Sequence, residues 1–124
     1  MSSDYALEFA WELAEVLEAK KGQDVQILDV RGLHSEIDFF VVATARGPRH
    51  AEVIGEEAQV FAKRRLTGLT RHLELAEDWV CGDFGAVVVQ VFTAEARAYY
   101  DFEQLWGDAP RISREASGEA SVPA

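Results

Sequence analysis

The side chains that most often carry out chemistry in proteins are few in this sequence, and they are scattered along it. The chain has one cysteine, Cys81, and its three histidines, His34, His50 and His72, lack the spacing of metal ligands. The glycine-rich patterns that cradle phosphates and the nucleophile elbow of hydrolases are also absent. The sequence therefore predicts a protein that needs neither a cofactor nor a metal ion to fold.

Paired carboxylates are the remaining candidates for catalysis, and the stretch "HSEIDFF" tests for them. It resembles the point in nucleotidyltransferases where a polar turn leads into a strand with two aspartates, spaced Asp-x-Asp, that hold metal ions. Here Asp38 fills the first position, but Phe40 fills the second and the preceding Gly-Ser is missing. One carboxylate cannot build a two-metal site. We therefore expect no enzyme activity. A nucleotidyltransferase-like enzyme with an atypical site is the alternative.

The charge of the chain narrows the classes of partner. The formal net charge is −10, from 22 acidic and 12 basic residues. Binding to a nucleic-acid backbone needs a basic face, so we expect no direct sequence-specific nucleic-acid partner. A basic protein is favoured instead, because complementary potentials steer association. The chain has no apolar run of about 20 residues and no signal peptide. It is therefore predicted to be cytoplasmic and to have no membrane partner.

Hydrophobic periodicity predicts the order α-β-β-α-(β)-β-β-α. The first helix follows Ser3 and ends at Gly22, and the last is capped by Thr93. Strands are predicted at 24–30 and 37–45, a helix from Gly47-Pro48 to Gly68, a short strand near 69–73, and two strands in "DWVCG" and "AVVVQVF". The fold class is therefore α/β (α+β), with a mixed sheet of about five strands flanked by helices. Residues 1–112 are predicted to form one domain and residues 113–124 a disordered tail.

Two residues of the predicted strands matter for the site. Cys81 lies in an apolar run and is predicted to be a small buried side chain. Gln90 interrupts the valine-rich strand, and a buried glutamine would need hydrogen-bond partners. We therefore predict that Gln90 faces outward near an edge of the sheet.

The last predicted helix carries the stretch "RAYYDFEQLWGD" at 97–108. On a helical wheel of about 100° per residue, the apolar residues gather on one side, which is predicted to pack on the sheet. This stripe consists of Ala98, Tyr99, Phe102, Leu105 and Trp106. The side predicted to face outward holds Ala96, Arg97, Tyr100, Glu103 and Gln104.

The C-terminal half of the chain resembles one family in detail. The stretch "DWVCGDFGAVVVQVFTAEARAYYDFEQLWGDAP" is similar to the ribosomal silencing factors, also called the Iojap-like family. The matching positions are Trp79, Asp83, Gly85, Val87 to Val89, Phe92, Arg97, Tyr100, Glu103, Leu105 and Trp106. The family usually has histidine where this chain has Gln90. The resemblance extends over about residues 5 to 111.

This resemblance implies a regulator of translation without catalytic activity. Members of the Iojap-like family bind large-subunit ribosomal protein fourteen and the large ribosomal subunit, and they block joining of the small subunit. The implied fold is a nucleotidyltransferase-like mixed sheet without the metal site, and some members form homodimers when free. A homodimeric adaptor with no ribosomal role is a further alternative.

The charge distribution agrees with a basic ribosomal partner. Between Glu77 and Asp108 there are seven acids and one base, Arg97, which gives a local net charge of −6. From this charge, the helical phase and the family motif, the candidate partner-binding residues are Asp83, Tyr100 and Glu103. Trp79 and Glu95 are weaker candidates.

Overall fold

The computed structural model describes residues 2–33, 36–65, 72–100 and 110–112. These residues form three helices and six strands in the predicted order, with one strand added at the end. The elements are α1 Ser2–Ala19, β1 Gln23–Asp29, β2 Phe39–Ala45, α2 Pro48–Arg65, β3 His72–Leu75, β4 Trp79–Asp83, β5 Val87–Thr93, α3 Ala94–Tyr100 and β6 Arg111–Ile112. The predicted disordered tail, 113–124, lies outside the described residues.

The strands form one sheet in the order β3-β4-β5-β2-β1-β6. Only β2 and β5 run parallel, and every other neighbouring pair is antiparallel. The predicted fold class, a mixed sheet flanked by helices, is confirmed. The sequence did not predict β6, which pairs Ile112 with Ile27 on β1. A strand of two residues is too short to show the period-2 alternation that identifies strands.

Side chains alternate between the two faces of the sheet, and the faces are covered differently. We call one the two-helix face, because α1 and α2 pack on it. Its buried side chains include Phe9, Leu13, Leu17, Ile27, Phe39, Val41, Ile54, Ala58, Val80, Val89 and Val91. We call the other the α3 face, where Ala96 of α3 packs on the sheet. Its buried core is smaller and consists of Leu28, Val30, Phe40, Val42, Val88, Phe92 and Ala96.

Backbone hydrogen bonds and a left-handed residue end α1 and lead the chain into β1. Gly22 was predicted to end the helix, but the left-handed backbone conformation belongs to Lys21, with φ of 71°. The N–H of Gly22 donates to the carbonyl of Leu17 at 2.8 Å, and the N–H of Lys21 donates to that of Glu18 at 2.9 Å. A Cβ at position 22 would lie 2.9 Å from the Leu17 carbonyl oxygen, so the glycine provides space rather than conformational freedom.

The predicted orientation of the last helix is wrong for the residues that the structure describes. Ala96 and Arg97, which were predicted to face outward, are 3% and 8% exposed. Ala98 is exposed, and Tyr99, predicted to pack, is 82% exposed. The remaining residues of the predicted stripe, Phe102, Leu105 and Trp106, lie outside the described residues, as do Glu103 and Gln104.

The physical reason for this orientation is the side chain of Arg97. Its Nη1 donates to the carbonyl of Asp24 at 3.1 Å and to Oγ1 of Thr44 at 2.6 Å. Its Nη2 lies 3.6 Å from the Asp24 carboxylate. A buried guanidinium costs free energy unless its N–H groups are paired, so these partners on β1 and β2 determine how α3 is turned. Counting apolar residues on a wheel cannot detect that requirement.

A candidate partner-binding surface on the α3 face

Trp79 is a half-buried aromatic residue at the start of β4, on the α3 face. Its strand partner on β5 is Phe92, and the two ring centroids lie 5.0 Å apart at an interplanar angle of 37°. The indole Nε1 donates to Oε1 of Gln90 at 2.7 Å. A large side chain that is held on two sides and still partly exposed is typical of a binding surface, where aromatic residues are enriched.

Gln90 corrects a prediction, because it does not face outward near an edge. Its strand, β5, lies in the interior of the sheet between β4 and β2, and Gln90 is only 6% exposed. The indole N–H of Trp79 supplies the hydrogen-bond partner that a buried carboxamide oxygen needs. Sequence reasoning missed the pairing because donor and acceptor lie on neighbouring strands, 11 residues apart.

A depression of about 540 Å³ lies beside Trp79, on the side of β3. Its lining residues are Glu74, Leu75, Ala76, Asp78, Trp79 and Cys81. The apolar part includes Leu75, which is 49% exposed, and the two carboxylates give the depression its charge. Such a combination matches a partner that presents an apolar stem with a cationic end, as lysine and arginine do.

Cys81 was predicted to be buried, but it is half-buried and lines this depression. Burial raises the pKa of its thiol, and the negative charges of Glu74 and Asp83 raise that pKa further. The thiolate is the reactive form of cysteine, so these effects keep Cys81 in its unreactive thiol form near neutral pH.

A second groove, of about 580 Å³, lies at the end of the sheet where β2 and β5 finish. It is lined by Arg46, Gly47, Pro48, Glu77, Asp78, Thr93, Ala94 and Glu95. Thr93 caps α3 as predicted, because its Oγ1 accepts from the N–H of Ala96 at 3.3 Å. That cap places Glu95 in the first turn of the helix, exposed and on the same side of the molecule as Glu77 and Asp78.

The structure separates the candidate residues into two places. Trp79 and Glu95 lie at the same end of the sheet, since Trp79 pairs with Phe92, near the end of β5. Asp83 pairs with Val88, at the other end of β4, so it is about 13 Å from Trp79 at the usual rise per strand residue.

The structure describes the other three candidates, Asp83, Tyr100 and Glu103, to different extents. The carboxylate of Asp83 accepts from the N–H of Gly85 at 3.2 Å, and Gly85 has φ of 90°. Asp83 therefore has a definite role in the β4–β5 turn. Tyr100 is the last residue of α3, and only its backbone is described. Glu103 lies outside the described residues.

Two properties of the described part of the chain bear on other kinds of function. Within residues 2–33, 36–65, 72–100 and 110–112, no three histidine, cysteine or acidic side chains gather as ligands of a metal ion would. Among these same residues, no helix has the length and apolar character needed to cross a membrane.

Comparison with known proteins gives a consistent result. Residues 3–123 match the model of a family described as "Ribosomal silencing factor during starvation". The chain is 34% identical over 117 residues to the ribosomal silencing factor RsfS of Halalkalibacterium halodurans, covering 93% of this chain and 97% of that protein. It is 37% identical over 98 residues to RsfS of Treponema pallidum, covering 77% and 87% of the two chains.

The structural comparison agrees with the sequence comparison. A crystal structure of a protein from Chromobacterium violaceum superposes with a TM-score of 0.71 at 37% identity, covering 79% of this chain and 83% of that one. One from Bacillus halodurans superposes with a TM-score of 0.71 at 30% identity, covering 89% and 98%.

Proposed function

The chain belongs to the ribosomal silencing factor family, which gives it a ribosome-associated role in silencing translation, and we propose that it acts by steric exclusion. In this proposal it binds large-subunit ribosomal protein fourteen and the large ribosomal subunit, in the cytoplasm. The bound protein then occupies space that the small subunit needs. Steric exclusion requires a stable contact in the right place and no catalytic group.

One observation supports the proposed contact most strongly. Trp79 is held by Phe92 and Gln90 but stays half-exposed, beside an apolar depression with carboxylates at its sides. Ribosomal proteins are basic, so their cations would be attracted to Glu74 and Asp78. Aromatic residues at the centre of an interface contribute most of its binding energy, whereas charges at the rim mainly affect the rate of association.

The predicted contact residues fit this surface to different degrees. Trp79 and Glu95 lie at the same end of the sheet and form the centre of the proposed surface. Tyr99 extends it along the outer side of α3, because it lies one helical turn after Glu95 and is 82% exposed. Asp83 stays in the proposal as a contact at the far end of β4. Tyr100 and Glu103 stay in it on the strength of the family motif.

Binding to isolated large subunits is the direct test. The wild-type protein should co-sediment with large subunits and not with small ones. Rising salt should weaken this association, because screening reduces the attraction between the acidic surface and its partner. Failure to co-sediment at low salt would contradict the proposal.

The residues predicted from sequence are tested by one triple variant, Asp83→Asn, Tyr100→Ala, Glu103→Gln. Light scattering of mixed subunits should show that this variant blocks joining less well than wild type. A thermal melt serves as the control for folding. Should the folded variant block joining as well as wild type does, these three residues are not part of the contact.

Two other functions predict different observations. A nucleotidyltransferase-like enzyme would bind nucleotide and magnesium saturably, and Asp38→Asn would abolish that binding. A homodimeric adaptor would be dimeric in solution and would not bind large subunits. A dimer that dissociates when large subunits are added would instead fit the proposed function, with the free protein self-associating through the same surface.

A further inference from the structure

Gln90, which accepts the hydrogen bond from Trp79, is a residue for which the sequence alone indicated no function. Gln90 is buried on the interior strand β5, and the oxygen of its carboxamide accepts the indole N–H of Trp79 at 2.7 Å. The indole ring also rests against Phe92, with ring centroids 5.0 Å apart. Gln90 and Phe92 point to the same face of β5, because they are two residues apart along the strand. Together they contact the indole at one side of its ring and at its N–H.

The two contacts restrain the ring in different ways. Ring packing against Phe92 is broad and permits the indole to slide and turn. A hydrogen bond from a single N–H to a single oxygen is directional and fixes one orientation. Of these two contacts, the hydrogen bond to Gln90 is therefore the one that fixes the orientation of the indole. That orientation shapes the wall of the depression that Glu74, Leu75 and Cys81 also line.

We propose that Gln90 is a positioning residue for partner binding, which acts by fixing the orientation of the Trp79 indole. The inference rests on the proposed function, because it requires Trp79 to be in the contact. Gln90 is 6% exposed, so it affects the partner through Trp79 rather than by touching it. Trp79 is half-buried, so part of its side chain already contacts solvent and the ring has room to turn when the acceptor is lost. Loss of the acceptor should therefore disturb the orientation of the indole ring more than it lowers the free energy of unfolding.

Gln90→Met is the matched variant, because methionine has nearly the length and volume of glutamine but lacks the carboxamide. We expect its affinity for large ribosomal subunits to fall about fivefold, the loss that follows when the indole holds the binding orientation about one fifth of the time. The melting temperature should stay close to that of wild type. In a proton–nitrogen NMR spectrum of the free protein, the indole N–H signal of Trp79 should move and exchange faster with solvent. The assignment of that signal comes from its absence in Trp79→Phe.

A conservative variant and a double-mutant cycle separate positioning from a general structural effect. Gln90→His should restore binding at pH 8, where an imidazole with an ordinary pKa of about 6.5 is neutral and can accept a hydrogen bond. In a Trp79→Phe background there is no N–H to fix, so Gln90→Met should cause no further loss of affinity. This cycle remains valid if Gln90→Met also lowers the melting temperature.

The outcomes distinguish this inference from the proposed function. If Trp79→Ala binds large subunits as wild type does, Trp79 is outside the contact and both the proposed surface and the inference fail. If Trp79→Ala loses affinity but Gln90→Met does not, the surface stands and the positioning role of Gln90 is wrong. An equal loss from Gln90→Met in the wild-type and Trp79→Phe backgrounds would also overturn it, since Gln90 would then act independently of the indole.

Discussion

The two faces of the sheet are built on different principles. The two-helix face is closed by α1 and α2, and the side chains at its centre, such as Leu13 and Ile54, are fully buried and apolar. The α3 face has a smaller apolar core and includes Gln90 and Arg97, the only buried polar or charged residues within the described part of the chain. It also carries the half-exposed Trp79.

This difference assigns separate tasks to the faces. Apolar burial is non-directional, so the two-helix face stabilises the fold without determining the orientation of any single group. Buried polar groups must find partners with the right geometry, so they fix orientation at some cost in stability. The hydrogen bond to Gln90 fixes the orientation of the Trp79 indole, and the hydrogen bonds of Arg97 fix the orientation of α3. The face that presents the candidate contact is therefore the one with directional bonds inside it.

The largest effect on stability is expected from the two-helix face. Leu13→Ala removes a side chain that is fully buried in α1, and such changes typically cost about 2–5 kcal/mol. Urea unfolding should show this loss, while affinity for large subunits stays unchanged below the melting transition. A loss under 1 kcal/mol would indicate that this face is loosely packed and would remove the contrast between the faces.

Arg97→Met tests the polar interior of the α3 face. The change keeps part of the side-chain volume but leaves the Asp24 carbonyl and the Thr44 hydroxyl without their shared donor. We expect the free energy of unfolding to fall by about 1–3 kcal/mol. Amide hydrogen exchange in α3 should accelerate more than exchange in α1. Equal acceleration in both helices would show that Arg97 supports the whole fold and not α3 in particular.

The fold could be read from the sequence further than the site could. Strong periodicity in the stretches around Leu13, Val41 and Val89 predicted helices, strands and their order, because local pattern and tertiary burial agree there. The orientation of α3 and the burial of Gln90 could not be read in this way. Both depend on single hydrogen bonds between residues distant in the chain, for example the 53 positions between Arg97 and Thr44.

A partial signal for these residues was nonetheless present. Arg97 is the one base among seven acids from Glu77 to Asp108, and it belongs to the family motif. An isolated base of that kind is a candidate for a buried ion pair. Gln90 within a run of valines was likewise an anomaly that required a hydrogen-bond partner. The predicted partner-binding residues Asp83 and Glu95 were found by charge, but charge alone could not show that they lie at opposite ends of the sheet.

The smallest expected effect on stability comes from an ion pair at the rim of the two-helix face, at the end of β1. The Arg31 guanidinium donates hydrogen bonds to Asp29, including one from Nε at 2.8 Å, and lies over the ring of Phe39. These hydrogen bonds hold the pKa of the Asp29 carboxyl below its usual value. A depressed pKa in the folded state adds stability above the unfolded pKa of about 3.9, and that stability is lost as pH falls through the folded pKa.

Arg31→Gln should therefore lower stability more at pH 7 than at pH 2. The difference should be about 0.5 kcal/mol, because the pair is partly exposed. Urea unfolding at the two pH values measures it. Arg49→Gln is the matched control, since Arg49 pairs with Glu52 at an exposed position and should show no measurable difference. If Arg31→Gln lowers the free energy of unfolding equally at both pH values, its effect comes from the lost contact with Phe39 and not from the Asp29 carboxylate.

Subunit joining measured with two tryptophan variants tests the division between the faces most directly. Trp79→Ala changes the α3 face, whereas Trp11→Ala makes the same substitution at a half-buried position on α1, against the two-helix face. Light scattering of mixed ribosomal subunits should show that Trp79→Ala no longer blocks joining, while Trp11→Ala, at a temperature where both variants are folded, blocks it as wild type does. If folded Trp79→Ala blocks joining as wild type does, the α3 face is not the ribosome-binding surface.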